Sequence, residues 1–246
     1  MAAVAFVAFT ACQKAEIAPE ENTAPAAEVS GDATLFSASL EAPVPTSTKM
    51  TIEDGAGDQK VPTWEAGDEI KIFYLDPATS TMTSTIGTAT KAGAETTFTA
   101  TVPENVTTFY AVYPATVTSS VNEEGKFSVS NKISEMTFSN ACICIARCGS
   151  DKNFAFKNLC SLLKFTIGTR GNQAPQIMSL DATPIVGTIN ASLNAVGEVV
   201  YDATTPYEST AYNRDYNNIP TGVTDYVCYV PILPQAQASG LAINWK

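Results

Sequence analysis

The stretch Phe154-Ala-Phe-Lys-Asn-Leu-Cys-Ser-Leu-Leu-Lys-Phe-Thr-Ile167 decides the fold class. Phe154 and Phe156 fall on one face at period two. Leu163, Phe165 and Ile167 repeat the pattern, with Lys164 and Thr166 opposite. Such alternation marks a half-buried strand. The two runs are out of phase across Asn158–Leu162, so a bulge or short helical turn is expected there. A helix is the competing reading, because Leu159, Leu162, Leu163 and Thr166 also fit a helical spacing. An apolar strand this long needs a second layer to cover it. The rest of the chain offers that layer as many short strands.

Composition agrees. The 246 residues allow one large or two small domains, and 45% apolar content is enough for a packed core. Pro and Gly number 14 each, which fits strands and turns. The net charge of −11 argues against nucleic-acid binding, which needs a Lys/Arg surface, and fits a surface or secreted domain. Histidine is absent, so Ser-His-Asp triads, Cys-His dyads and zinc sites with His ligands are excluded. The cysteines are Cys12, Cys142, Cys144, Cys148, Cys160 and Cys228, with no CxxC pair. Cys142 and Cys144 read as part of a buried strand. Disulfides among the last five would leave one thiol over.

Residues Ala2–Ala11 are apolar or small, too short a run to span a bilayer. They resemble the end of a secretory apolar segment, without the usual basic start, so either the true start lies upstream or Met1 is internal. Phe9-Thr10-Ala11-Cys12 resembles a bacterial lipobox. In that reading Cys12 becomes the mature N-terminus and carries the lipid; several acyl chains together would anchor it stably. Residues 13–33, with Pro19, Glu20, Glu21, Pro25 and Glu28, lack aromatic residues and read as a disordered tether.

Strands are expected at Thr34–Leu40, Lys49–Ile52, Ile70–Leu75, Thr96–Val102, Thr108–Tyr113, Lys126–Ser130 and Met136–Ala146. After the central stretch they are expected at Ile177–Asp181, Gly187–Leu193, Glu198–Asp202, Asp225–Val230 and Leu241–Trp245. Punctuation every 8–12 residues or so is a sandwich signature. Gly67, in the Ala-Gly-Asp turn after Trp64, can take positive φ. The acidic Glu53–Asp58 loop reads as a plain turn, since it misses the calcium-loop pattern. Ala203–Gly222 reads as a long polar loop carrying Tyr207, Tyr212 and Tyr216.

Several of these pieces resemble the fimbrillin-like lipoprotein family, which builds or decorates type V pili of anaerobic Gram-negative bacteria. They are the lipobox at Cys12, Trp64-Glu65-Ala66-Gly67-Asp68-Glu69-Ile70, Phe109-Tyr110-Ala111-Val112-Tyr113-Pro114, Phe156-Lys157-Asn158-Leu159-Cys160-Ser161-Leu162-Leu163-Lys164-Phe165, and Val230-Pro231-Ile232-Leu233-Pro234. The resemblance implies two tandem transthyretin-like β-sandwiches. The expected units are a lipoprotein signal segment at 1–12, the tether at 13–33, and sandwiches at 34–150 and 151–246, divided near Gly149–Lys152. Two departures stand out. Polymerising members are cut after an Arg near the first strands, yet no Arg precedes Arg147 here. Members usually continue for several strands beyond Leu241–Lys246, so the second sandwich is either truncated or lacks the usual C-terminal donor strands.

The resemblance implies a structural or adhesive surface protein, an anchor, tip or accessory subunit working by β-strand addition. Its partners would be other pilus subunits or surface ligands, and the membrane through the lipid. It implies an outer-membrane, lipid-anchored location and no cofactor. The alternative is a carbohydrate-binding surface lipoprotein, with Tyr207, Tyr212, Asn213, Arg214 and Tyr216 as the ligand patch; those tyrosines could equally cover the end of a sandwich. An enzyme is disfavoured. Asp68 and Glu69 are sequence neighbours at a strand start and should point to opposite faces, so they make a poor catalytic pair.

Overall fold

The computed structural model describes residues 33–40, 53–54, 60–61, 63–131, 138–168, 177–181, 187–202, 207–209, 212–215, 225–232 and 242–245. In chain order the strands begin β1 (Thr34–Leu40), β2 (Glu53–Asp54), β3 (Lys60–Val61), β4 (Glu69–Asp76), β5 (Thr81–Ala89), β6 (Glu95–Ala100) and β7 (Phe109–Tyr113). Next come β8 (Ser119–Val121), β9 (Phe127–Ser130), the short helix α1 (Phe138–Ala141), β10 (Cys144–Cys148), β11 (Asn153–Asn158) and β12 (Ser161–Gly168). The last are β13 (Ile177–Asp181), β14 (Gly187–Leu193), β15 (Val199–Tyr201), β16 (Tyr207–Ser209), β17 (Tyr212–Asp215), β18 (Asp225–Ile232) and β19 (Ala242–Trp245). Among the described residues the protein is all-β apart from that one helical turn.

Seven strands close into a barrel in the order β1-β11-β10-β7-β4-β5-β6. Neighbours are antiparallel except β1 and β11, which run parallel. Strand alternation sorts the side chains: Ile70, Ile72 and Tyr74 of β4 join Phe36, Phe98, Phe109, Phe154 and Phe156 in the barrel core. Gly87 of β5 sits so close to β4 that an added Cβ would lie 2.9 Å from Ile72 Cδ1. The small residue lets the barrel wall close tightly there.

Some outward residues of β4, β7 and β10 are also apolar. Phe73, Val112 and Ile145 pack against Phe127, Val129, Ile189 and Ala191 in a second core cluster. Those last four come from the sheet β15-β14-β9-β8, with β16 also paired to β14. One barrel face is thus covered by a second layer, as a sheet with two apolar faces requires. The remaining sheets are β12-β18, β17-β13-β19 and the hairpin β2-β3.

Asn131 ties the second layer to β18. Its side-chain oxygen accepts from Gly187 N–H at 2.6 Å, and its Nδ2 donates to the Pro231 carbonyl at 3.1 Å. With 1% of its surface exposed, it satisfies backbone groups that water cannot reach.

The phase slip expected in the central stretch is present, and its cause is topological. Phe154 and Phe156 of β11 face the barrel core. The chain then breaks at Leu159 and Cys160, which fall in the second cluster, and resumes as β12 paired with β18. The register changes because the chain changes sheet.

Other expectations are amended. β5 and β8 were not anticipated. Met136–Ala146 was expected as one strand; its described part, 138–146, holds α1 and the start of β10. The supposed loop Ala203–Gly222 carries β16 and β17. The all-β class holds, and the first sheet closes on itself into a barrel. The boundary expected at 150/151 falls between β10 and β11, which pair in one sheet. The strand expected at Lys49–Ile52 lies outside the described residues.

Candidate functional site

The feature with the most functional consequence is the seam filled by β1. On one side it pairs antiparallel with β6, with Phe36 opposite Phe98 and Ala38 opposite Thr96. On the other it runs parallel to β11, with Ala38 opposite Phe154 and Leu40 opposite Phe156. Phe36 is fully buried; its ring stacks on Phe154 at 5.3 Å and meets Phe109 edge-on at 4.9 Å. Outward-facing Ser37 closes the seam from the solvent side: its backbone N–H donates to the Lys152 carbonyl at 3.0 Å and its Oγ to Asn153 Oδ1 at 3.1 Å. Leu35 also points outward and is half exposed. A single segment therefore satisfies two strand edges and fills one layer of the core.

At one place on the barrel wall the Trp64-Glu-Ala-Gly-Asp68 turn is locked in place. Trp64 bridges to Gly93 by two backbone hydrogen bonds of 2.8 and 3.0 Å. Gly67 takes φ 92°, as the turn reading expected. Asp68 Oδ2 accepts from Glu65 N–H at 2.9 Å, and Oδ1 accepts from Tyr113 O–H at 3.4 Å. Glu69 is exposed, so the neighbouring carboxylates do separate.

Burial pushes the Asp68 carboxyl above the usual carboxylate range, against the opposing Glu65 hydrogen bond. Burial also pushes the Tyr113 hydroxyl up strongly, with Asp68 adding to it. A raised carboxyl favours the protonated form in the fold. The stability Asp68 confers is therefore full below the usual carboxylate range and falls as pH rises through the raised value. Asp68→Asn never ionises; its amide can still accept from Glu65 N–H and donate to Tyr113 Oη. We expect its melting temperature to match the parent in acid and exceed it at neutral pH, read from thermal melts across that range. A variant less stable than the parent at neutral pH would contradict this.

Cys142, Cys144, Cys148 and Cys160 are buried and none of the four is in a disulfide. Burial pushes the Cys148 thiol up to about 12, and that of Cys160 higher still. Burial that holds the thiols of Cys148 and Cys160 protonated makes them poor nucleophiles. Among the described residues no group of three or more Cys, Asp or Glu could hold a metal ion.

Of the candidate ligand patch, Tyr207 lies on β16, opposite Ile189 of β14. Tyr212, Asn213 and Arg214 lie on β17, opposite Leu180, Ser179 and Met178 of β13. The backbone thus assigns them to two sheets instead of one loop. Tyr216 and Cys12 lie outside the described residues.

Two open clefts, each of about 610 Å3, escaped sequence reading. One crosses the outer face of β8, β9, β14 and β15, where Ser120, Ser128, Asn190 and Ser192 line up beneath a Lys126–Asp202 ion pair of 3.5 Å. The other lies between the barrel wall at β10 and β11 and the β14–β15 hairpin. Neither had a local signal, because each joins residues distant in sequence.

The described residues thus form a closed β-barrel sealed by β1, with a second β-layer on one face. The model of the fimbrillin-like family matches residues 48–245. The chain belongs to that family. No curated protein matches it. Among solved structures it is similar to a candidate cell adhesion protein of Bacteroides fragilis, at 10% identity over 85% of this chain and 82% of that one. The TM-score of 0.38 is too low for that likeness to carry weight.

Proposed function

We propose that this protein is a cell-surface, fimbrillin-like lipoprotein, non-enzymatic, acting as an anchor, tip or accessory subunit of a pilus. The observation that carries the reading is the β1 seam. A terminal strand that alone closes a barrel is the element a partner's strand would replace in β-strand addition, because main-chain hydrogen bonds can be exchanged one for one. Family membership supports a fimbrial, surface-exposed setting. In this reading the barrel and the second unit correspond to the tandem sandwiches of the family, and Cys12 carries the lipid that holds residues 13–33 and the folded part at the outer membrane. Partners are other pilus subunits or surface ligands.

The position in the fibre follows from the missing arginine. The basic residues before the barrel body are Lys14, Lys49 and Lys60. An Arg-specific protease discriminates against Lys, because the planar guanidinium fork differs from a compact ammonium. Without that cut β1 is not removed before assembly and fills the seam until a partner's strand displaces it, which suits a terminal subunit and not a repeating one. Purified protein treated with an Arg-specific protease should keep its mass between Cys12 and Lys60 and stay monomeric. Cleavage in that interval followed by a polymer ladder would make it a main pilin instead.

A further inference from the structure

We propose that the cleft between the barrel wall and the β14–β15 hairpin binds a carboxylate-bearing saccharide, with Arg147 as its principal donor. The cleft is lined by Thr108, Arg147, Ala155, Lys157, Leu193 and Val196, among others, and none of its lining residues is acidic. That is notable in a chain with 25 acidic residues against 14 basic ones. Arg147 is exposed, and its guanidinium lies over the Tyr110 ring, 5.9 Å from the centroid. Tyr110 is itself held edge-on against Phe127 at 5.8 Å. Among the described residues no carboxylate pairs with Arg147. The ring beneath it restrains the guanidinium, and a restrained fork suits two-point binding of a carboxylate. Lys157 brings a second positive charge from the neighbouring strand.

The nearby acids are engaged in turns. Asp151 accepts from Gly149 N–H at 3.1 Å, and Glu198 accepts from Asn194 Nδ2 at 3.2 Å. Ala155, Leu193 and Val196 add an apolar wall; Val196 is 77% exposed at the hairpin tip. Cations beside small apolar groups suit a ring with one carboxylate and one C–H face.

A saccharide fits better than an acidic peptide strand. β10 and β11 pair with each other at Cys144 and Ile145, away from Arg147, which β7 pairs on its far side, as β1 pairs Ala155. What the cleft presents is a guanidinium beside small apolar side chains, the set that suits a carboxylated sugar ring. The inference deepens the adhesive reading and takes its biological meaning from it. Binding is read on the monomer, so a failure of strand exchange leaves it standing, and its own failure leaves strand exchange standing.

The test titrates the full chain, by calorimetry, with a short oligogalacturonate and with sialyllactose. The comparisons are the methyl-esterified oligogalacturonate, neutral lactose and a poly-glutamate peptide. Saturable binding of either acidic saccharide is expected, with no binding of the ester or lactose. Arg147→Lys keeps the charge but loses the fork, and Arg147→Met loses both; each should weaken binding by about tenfold or more. The site of change is exposed, and unchanged melting curves would show the variants folded. No saturable binding of either acid, or equal binding by Arg147→Met, would overturn the proposal. Poly-glutamate binding as tightly as the saccharides would overturn the saccharide assignment in favour of an acidic peptide.

Discussion

Trp64→Ala should destabilise the protein by roughly 3–5 kcal/mol, the range for truncating a large aromatic residue in a packed core. Trp64 is fully buried and meets three rings edge-on: Phe98 at 5.1 Å, Tyr113 at 5.3 Å and Phe156 at 5.3 Å. Those rings come from β6, β7 and β11, on both sides of the barrel interior, so a void at Trp64 loosens strands that do not pair with one another. Edge-to-face pairs add to simple burial. The surrounding closed wall limits collapse into the cavity, which places the cost toward the upper end.

Trp64→Phe should cost much less. The indole Nε1 is buried without a hydrogen-bond partner among the described residues. Losing that orphaned donor offsets part of the lost volume, since a buried unmet donor costs about 1–3 kcal/mol. Urea unfolding followed by circular dichroism gives both values. An alanine variant within about 1 kcal/mol of the parent would show that Trp64 is not a core anchor. A phenylalanine variant as damaged as alanine would show that the indole N–H is satisfied after all.

The sequence announced Trp64 because it stands in an apolar frame beside a Gly-Asp turn. The same logic found β1, β4, β7, β13 and β14 closely, since each shows alternation or an apolar run bounded by turn residues. It missed β5, Thr-Met-Thr-Ser-Thr-Ile-Gly-Thr-Ala, for a physical reason. Part of the inner face of β5 is Gly87 and Ala89, small because the barrel wall closes there, so the strand carries little hydrophobic period. Phe165, which the alternation with Leu163 and Ile167 puts on one face of a half-buried strand, lies on β12 opposite Cys228, and its side chain is outside the described residues. Closure was illegible for another reason. Parallel pairing of β1 with β11 joins residues 116 apart in sequence, as in the Ser37–Asn153 hydrogen bond, and no local pattern encodes such a partner. The Arg147 cleft shares that limit: Arg147 alone reads as an ordinary outward residue of β10, and its meaning appears only with Tyr110 beneath it and the hairpin opposite.

Removing β1 should have the largest effect of all, because one strand closes two edges. Without Thr34–Leu40 the facing edges of β6 and β11 lose their main-chain partners, and Phe98, Phe109 and Phe154 lose the ring that fills the layer between them. The point variant Phe36→Asp tests the same seam with the backbone kept. It forfeits about 3–5 kcal/mol of aromatic burial and adds a carboxylate that must be desolvated or protonated inside the barrel. Either change removes a large fraction of a typical domain stability, which is about 5–15 kcal/mol in total. The expected outcome for a chain beginning at Glu41 is an open, association-prone barrel that a synthetic Thr34–Leu40 peptide restores, seen as a regained cooperative melt. The same peptide carrying aspartate at the Phe36 position should not restore it, since the main-chain pairing would remain possible but the core layer would stay unfilled. A shortened chain that melts like the parent would mean that β1 merely decorates a barrel closed by other contacts, and a destabilised one indifferent to the peptide would rule out strand exchange at this seam. Rescue by both peptides alike would assign the seam's strength to the hydrogen-bond ladder, so that any extended partner strand could occupy it regardless of its side chains.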